Sequence, residues 1–319
     1  MTEAGPAIET RGLTRLFGAV RAVDGLDLRV DRGEMFSLVG PDGAGKTTAI
    51  RMLCGILKPS AGSAAVLGYD LSRETEAVKN RIGYLSQRFS LYGDLTVDEN
   101  IEFFAEIHGV RDFRTRREEL LEFTRLAPFR GRLAERLSGG MRQKLALACT
   151  LIHKPSLLLL DEPTTGVDPV SRREFWKILS SLLKTGMTIL MTTPYLDEAE
   201  RSSRVGLMSG GKLRAAGTPR DIQGLMKGQI LEIVSSDVRK AFHALRPLKG
   251  PNEVQMFGDR LNVVVMDAAR EAPALAGVLK RQGVEVLDCQ EVPPSLENVF
   301  IMLTQSPSTE ALHDQIRTS

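Results

Sequence analysis

The stretch GPDGAGKT, Gly40 to Thr47, constrains this chain more than any other. It follows an apolar strand-like run, Met35-Phe36-Ser37-Leu38-Val39, and opens a helical stretch. Ile50, Leu53 and Leu57 share one helix face, and Lys58-Pro59-Ser60 stops the helix after Leu57. The spacing matches G-x-x-x-x-G-K-[ST] in its required strand-before, helix-after context. The glycines let the backbone curl until its N–H groups point inward at phosphate oxygens, and the helix N-terminus adds its dipole. The candidate phosphate contacts are Gly40, Gly43, Ala44, Gly45, Lys46, Thr47 and Thr48. Lys46 is placed to reach β and γ phosphates, and Thr47 to hold Mg²⁺. Strand, loop and helix in that order open a parallel α/β sheet.

A magnesium site also needs a carboxylate at the end of a neighbouring strand. LLLLDEP, Leu157 to Pro163, supplies one: four leucines make a buried strand, and Asp161 emerges at its carboxyl end. Glu162 beside it can polarise a water for attack on the γ phosphate. An acidic pair closing a strand is common, and it gains its meaning from the phosphate loop. A third segment, Leu137-Ser138-Gly139-Gly140-Met141-Arg142-Gln143, precedes a helix with Leu145, Ala148 and Ile152 on its apolar face. Read plainly, Ser138 is an N-cap and the glycines loosen a turn. Read chemically, the hydroxyl, the bare N–H groups of Gly139 and Gly140 and a helix N-terminus make a second anion site.

The 319 residues suffice for two domains of roughly 150 each. The net charge of +2 gives no global field to attract nucleic acid or anionic lipid. No apolar run approaches the roughly 18 residues of a membrane span, and the opening MTEAGPAIET lacks a secretion signal's basic and apolar regions. Cys54, Cys149 and Cys289 lie far apart and read as free packing thiols. Leu26, Leu28 and Val30 alternate with Asp27 and Arg29 as in a half-buried strand. Residues 96–153 read as mostly helical, with a Thr96/Glu99 capping box. The charged run RTRREELLEF reads as a solvated helix face. Strands are expected at 157–160 and 188–191, with a helix around Arg172–Leu183 between them. Beyond Gly217-Thr218-Pro219 the order is strand 229–234, helix 237–245, strands 253–257 and 261–266, helix 271–282 and strand 284–288. That is the ferredoxin-like, split βαβ order. Pro293-Pro294 then precedes a short helix, SLENVFIML, and a polar tail from Gln305.

In these motifs the chain resembles the nucleotide-binding subunits of ABC transporters over about residues 8 to 220. GPDGAGKT is similar to their Walker A, LLLLDEP to their Walker B and LSGGMRQ to their signature. Gln87 in YLSQ matches the Q-loop glutamine, which adds it to Thr47 and Asp161 around Mg²⁺ and to Asp161 and Glu162 in catalysis. Asp168 in GVDP matches the D-loop, and Phe17 stands where the family stacks an aromatic on adenine. The end of the chain, PPSLENVFIMLT, resembles the drug-exporter branch of daunorubicin-resistance-type ATPases. GPDGAGKT and RIGYLSQRFSLYGDLTVDENI resemble bacterial exporters with two nucleotide-binding units.

The resemblance implies a P-loop NTPase core with an antiparallel β subdomain and a helical subdomain, plus a small α+β C-terminal domain. The domain expectation is a flexible terminus at 1–7, an ATPase domain at 8–220 and a helical subdomain at about 90–153. A ferredoxin-like domain at 229–304 and a disordered tail at 305–319 follow. Also implied are ATP and Mg²⁺ as ligands and a second nucleotide-binding domain, identical or paired, that completes each site with its signature. The transmembrane permease would be a separate protein, with this chain peripheral on the cytoplasmic face of the inner membrane. A non-transport ABC ATPase, or an ATP-dependent clamp with little turnover, is the alternative.

One position departs from the pattern. The family has a histidine before Tyr195-Leu196-Asp197-Glu198-Ala199, contacting the γ phosphate; here it is Pro194. Proline is favoured at a first helical position, with Thr193 an acceptable cap, but it carries neither a side-chain donor nor an N–H. Nucleotide binding is therefore expected to survive and hydrolysis at this chain's own Walker site to be slow.

Overall fold

Leu157–Asp161 is buried along its whole length, so this strand must be covered on both faces. Leu158 and Leu160 join one apolar cluster with Val97, Ile101, Leu120 and Leu145 of the helical region. Leu157 and Leu159 join another with Ile50, Leu53 and the antiparallel strands. The strand lies in a six-stranded sheet ordered Lys212–Gly217, Arg204–Ser209, Met35–Val39, Thr188–Thr193, Leu157–Asp161, Ile82–Leu85. Neighbours from Arg204–Ser209 to Ile82–Leu85 run parallel. All of their carboxyl ends therefore open on one side, where α/β sheets place their ligands.

This computed structural model describes residues 5–87, 91–250 and 253–304. It divides into two compact units, Met1–Ala216 and Gly217–Ser319. In the first unit a five-stranded sheet is built on Ile8–Phe17, which pairs antiparallel with Val20–Leu26, Arg29–Val30 and Ala61–Val66. Leu26, Leu28 and Val30 are buried as their alternation predicts. The strand breaks between Leu26 and Arg29, where Asp27 Oδ1 accepts the Gly12 N–H at 2.6 Å. Ala7, assigned from sequence to a flexible terminus, is buried instead: its N–H donates to Val30 O and its carbonyl accepts from Leu67 N. Residues 1–4 and the tail 305–319 lie outside the described residues.

The helix after the phosphate loop spans Lys46–Leu53 and stops short of Leu57, because Gly55 turns the chain at φ +69°. The helical region holds Val97–Ile107, Phe113–Thr124 and Gly139–Leu151. Thr96 and Glu99 cap the first of these reciprocally, as their spacing predicts. The helix expected at Arg172–Leu183 starts earlier, at Pro169, because Asp168 caps it by accepting from Val170 N and Ser171 N. Among the described residues no helix is long and apolar enough to cross a membrane.

The second unit carries a four-stranded antiparallel sheet ordered Val254–Phe257, Arg260–Val265, Gln229–Ser235, Val286–Val292. With helices Val238–Leu245 and Ala268–Arg281 this is the split βαβ order read from the sequence. The second helix begins at Ala268 rather than 271, because Asp267 caps it.

Candidate functional site

Two glycines of the phosphate loop have no substitute. A Cβ on Gly40 would stand 2.0 Å from Met208 O, and one on Gly45, at φ +101°, would stand 2.2 Å from Ala22 O. The loop can therefore pack tightly against its surroundings and aim Lys46, the first residue of its helix, inward. The Lys46 side chain is 3% exposed. Its Nζ donates to Gly40 O at 2.8 Å and Pro41 O at 3.1 Å, and pairs with Glu162 Oε1 at 3.1 Å.

The acidic pair is split by the end of its strand. Asp161 Oδ1 accepts from Thr47 Oγ1 at 2.9 Å and Thr192 Oγ1 at 2.8 Å, while its buried Oδ2 has no partner. Burial pushes the Asp161 carboxyl above its ordinary range, against the lowering effect of the two threonine hydroxyls. A buried oxygen left unpaired beside a threonine hydroxyl is the donor set a hard divalent cation takes, so these residues fit Mg²⁺. The next residue, Glu162, has φ +48°, in the left-handed region that non-glycine residues seldom adopt. Its N–H donates to Thr192 Oγ1 at 2.9 Å and Thr192 O at 3.2 Å. That turn brings Oε2 to Gln87 Nε2 at 3.0 Å and Thr165 Oγ1 at 3.4 Å.

Lys46, Thr47, Gln87 and Glu162 thus meet at a cleft of about 720 Å³, whose lining also includes Gly43, Ala44, Gly45 and Thr48. Phe17, 48% exposed, lines it together with Val20, Arg21 and Ala22 from the antiparallel sheet. Gly210 and Gly211 also face it, and no motif marked them or the threonine at 192. Thr192 escaped because the strand expected at 188–191 runs two residues further, to Thr193.

The third segment lies apart from this cleft. Ser138 caps helix Gly139–Leu151 through Met141 N at 3.3 Å, as the plain reading expects. Gly140 packs so closely that a Cβ would stand 2.2 Å from Ser171 Oγ, whereas a Cβ on Gly139 would meet nothing within 4 Å. Gly139 lines a separate depression of about 420 Å³ with Thr165, Gly166 and Val167. Gln143 is buried and donates to Pro163 O, tying this segment to the acidic strand end.

Pro194 is not the first residue of a helix. The helix is Leu196–Ala199 with Tyr195 as its cap residue, so Pro194 precedes the cap. Thr193 remains in its strand and accepts the Tyr195 N–H on Oγ1 at 3.0 Å. The β conformation of Thr193 is the one favoured before a proline, which keeps the strand extended up to that turn.

Residues 23–165 match the family model for the ABC transporter, and residues 217–304 match the ATP-binding protein DrrA1-3-like C-terminal domain. The daunorubicin resistance ATP-binding protein DrrA3 of Streptomyces coeruleorubidus is 39% identical over 94% of this chain and 96% of that protein. The probable multidrug ABC transporter ATP-binding protein YbhF of Escherichia coli (strain K12) is 44% identical over 70% of this chain. The matched region spans only 39% of that relative's length. A solved ATP-binding subunit of an ABC transporter superposes with a TM-score of 0.63 at 29% identity, covering 69% of this chain and 92% of that one.

Proposed function

The chain belongs to the ATP-binding proteins of ABC transporters, in their daunorubicin-resistance-like branch, and from that membership we propose that it binds and hydrolyses MgATP to energise an exporter of a drug or other hydrophobic substrate. The observation that carries this reading is the meeting of Lys46, Thr47, Gln87, Asp161 and Glu162 at the carboxyl ends of the parallel strands. Gly40, Gly43, Ala44, Gly45 and Thr48 cradle the phosphates with backbone N–H groups, and Lys46 contacts β and γ. Phe17 stacks on adenine from the rim of the cleft. Thr47, Asp161 and Gln87 would hold Mg²⁺, which when bound supplies positive charge against the phosphates. Glu162 orients and deprotonates the attacking water, and its pairing with Lys46 gives way as the lysine turns to phosphate.

Ser138, Gly139 and Gly140 complete the site of a second nucleotide-binding domain, identical or paired, since they stand apart from this chain's own cleft. A separate transmembrane permease carries the substrate, and this chain works at the cytoplasmic face of the inner membrane. Pro194 supplies no donor where the family has a histidine, so turnover at this chain's own site is slow; losing one transition-state donor costs about 100- to 1,000-fold.

Pro194 also favours a second reading, an ATP-dependent clamp with little turnover. Two measurements decide between them. Phosphate release by the purified chain, compared with Glu162→Gln, is expected to be slow but abolished by the substitution. Affinity purification from native membranes is expected to bring down an integral membrane protein. Release no faster than that of Glu162→Gln favours the clamp, and co-purification of ribosomes or DNA in place of a membrane protein overturns the transport reading.

A further inference from the structure

Glu198 carries a charged-type side chain in a place where a leucine would fill the volume at no electrostatic cost. It is 1% exposed, although its helix, Leu196–Ala199, is a single turn. Burying a carboxyl group is expensive unless its oxygens are satisfied. Here Thr164 Oγ1 stands 2.8 Å from both oxygens, and Thr193 Oγ1 donates to Oε2 at 2.9 Å. Arg172 Nε lies 3.4 Å from Oε1, and the same guanidinium lies 4.8 Å over the Tyr195 ring.

These contacts join three segments at one carboxyl group. Thr193 ends the strand before Pro194, and its hydroxyl accepts the Tyr195 N–H, so the turn is held on both sides of the proline. Thr164 belongs to the loop after Pro163, and Arg172 to helix Pro169–Lys184. Thr165, adjacent to Thr164, places its hydroxyl 3.4 Å from Glu162 Oε2. Glu198 is thus connected through two adjacent loop residues, Thr164 and Thr165, to the carboxylate that faces the phosphate cleft. Pro194 has no side-chain polar atom with which to hold its own turn in place.

We propose that Glu198 is a positioning residue for ATP hydrolysis: through Thr164 and Thr193 it fixes the loop 164–168 and the Pro194 turn relative to Glu162. The inference rests on the hydrolytic reading above.

The test uses the full chain with Glu198→Gln, Thr164→Val, Thr164→Ser and the double variant Glu198→Gln/Thr164→Val. The readouts are kcat and KM for MgATP, affinity for MgADP, and amide hydrogen exchange across 164–168. Glu198→Gln and Thr164→Val are expected to lower kcat by about tenfold to a hundredfold, the cost of a small misplacement near the reacting atoms. MgADP affinity stays at the parent value, and exchange across the loop speeds up. Thr164→Ser keeps the hydroxyl and behaves as the parent, while the double variant is no worse than either single one.

Parent-like kcat and exchange in Glu198→Gln and Thr164→Val overturn the proposal. So does loss of MgADP affinity in step with kcat, or a Thr164→Ser variant as impaired as Thr164→Val, since either marks a merely structural contact. Glu162→Gln run alongside separates the two levels. If it turns over like the parent, the hydrolytic reading fails and this inference with it. If it is inactive while Glu198→Gln is not, only this inference fails.

Discussion

At Lys46 and at Gly139, two helices of the same unit begin with glycine-rich turns, yet they are finished in different ways. The Lys46 ammonium is buried and already met by Gly40 O, Pro41 O and Glu162, and the walls of its cleft come from both sheets. The Gly139 turn has a capped start and a packed second glycine, but space in front of its first glycine. The first is a cleft whose walls and phosphate-facing groups are supplied by this chain's own residues. The second leaves open space before Gly139, which the proposed pairing with a second nucleotide-binding domain would fill.

Lys46→Ala should separate the two turns most sharply. Among the described residues Lys46 is the only buried cation lining the phosphate site, and charged hydrogen bonds are each worth about 1.5–3 kcal/mol. MgATP affinity is expected to fall on the order of a hundredfold or more, read by titration calorimetry; a variant that binds like the parent removes the phosphate-loop assignment. Gly139→Asp is next, and it should separate the two turns. MgATP binding to the isolated chain stays intact, because nothing within 4 Å of that Cβ position belongs to the cleft. ATP-driven dimerisation, followed by sedimentation, is expected to weaken by at least about tenfold, since like-charge contacts across an interface cost several kcal/mol. Dimerisation at the parent level counts against a signature role for Gly139.

Pro194→His sharpens the first site alone. Restoring a donor at that turn is expected to raise phosphate release by about tenfold, a part of the 100- to 1,000-fold that one such donor is worth. Glu162→Gln should remove the gain. The change is cheap for the fold, because Pro194 is half-buried and lies outside the helix. A parent already as fast as the histidine variant makes Pro194 a turn residue and nothing more. The smallest effect contrasts the adjacent glycines. Gly140→Ala drives a methyl into Ser171 and is expected to cost about 1–3 kcal/mol in denaturant unfolding, while Gly139→Ala leaves stability near the parent value. Equal costs at the two positions would erase the distinction between a packed glycine and an open one.

Much of the site was legible because its chemistry is local. Gly40 to Thr47 lie within eight consecutive residues, and Asp161 and Glu162 are neighbours, so spacing alone placed them at a turn and at a strand end. Thr192 and Glu198 were not legible, because each acts on residues far off in the chain: Thr192 reaches Asp161, and Glu198 reaches Thr164. A threonine after an apolar run, or a glutamate in an acidic helix, looks the same whether it faces water or a buried partner. Boundaries slipped where a cap overruled periodicity, as Asp168 and Asp267 did for their helices. The placement of Pro194 slipped for a related reason. Proline fits both the first turn of a helix and the residue before its cap, and local preference does not separate the two.

Local sequence is enough to show that a strand, an anion-cradling turn and a helix follow one another at Gly40, that an acidic pair closes a leucine strand, and that the second unit has βαββαβ order. Those are properties of backbone freedom, side-chain period and short spacing. Which groups share an oxygen depends on the folded packing: Glu162 turns back at φ +48° onto Lys46, Asp161 keeps one oxygen buried and unpaired, and Gly139 faces open space where Gly140 faces Ser171. Contacts of that kind depend on how strands lie beside one another in the sheet. The six-stranded sheet puts residues 37, 160, 191 and 206 in neighbouring strands that no local pattern connects.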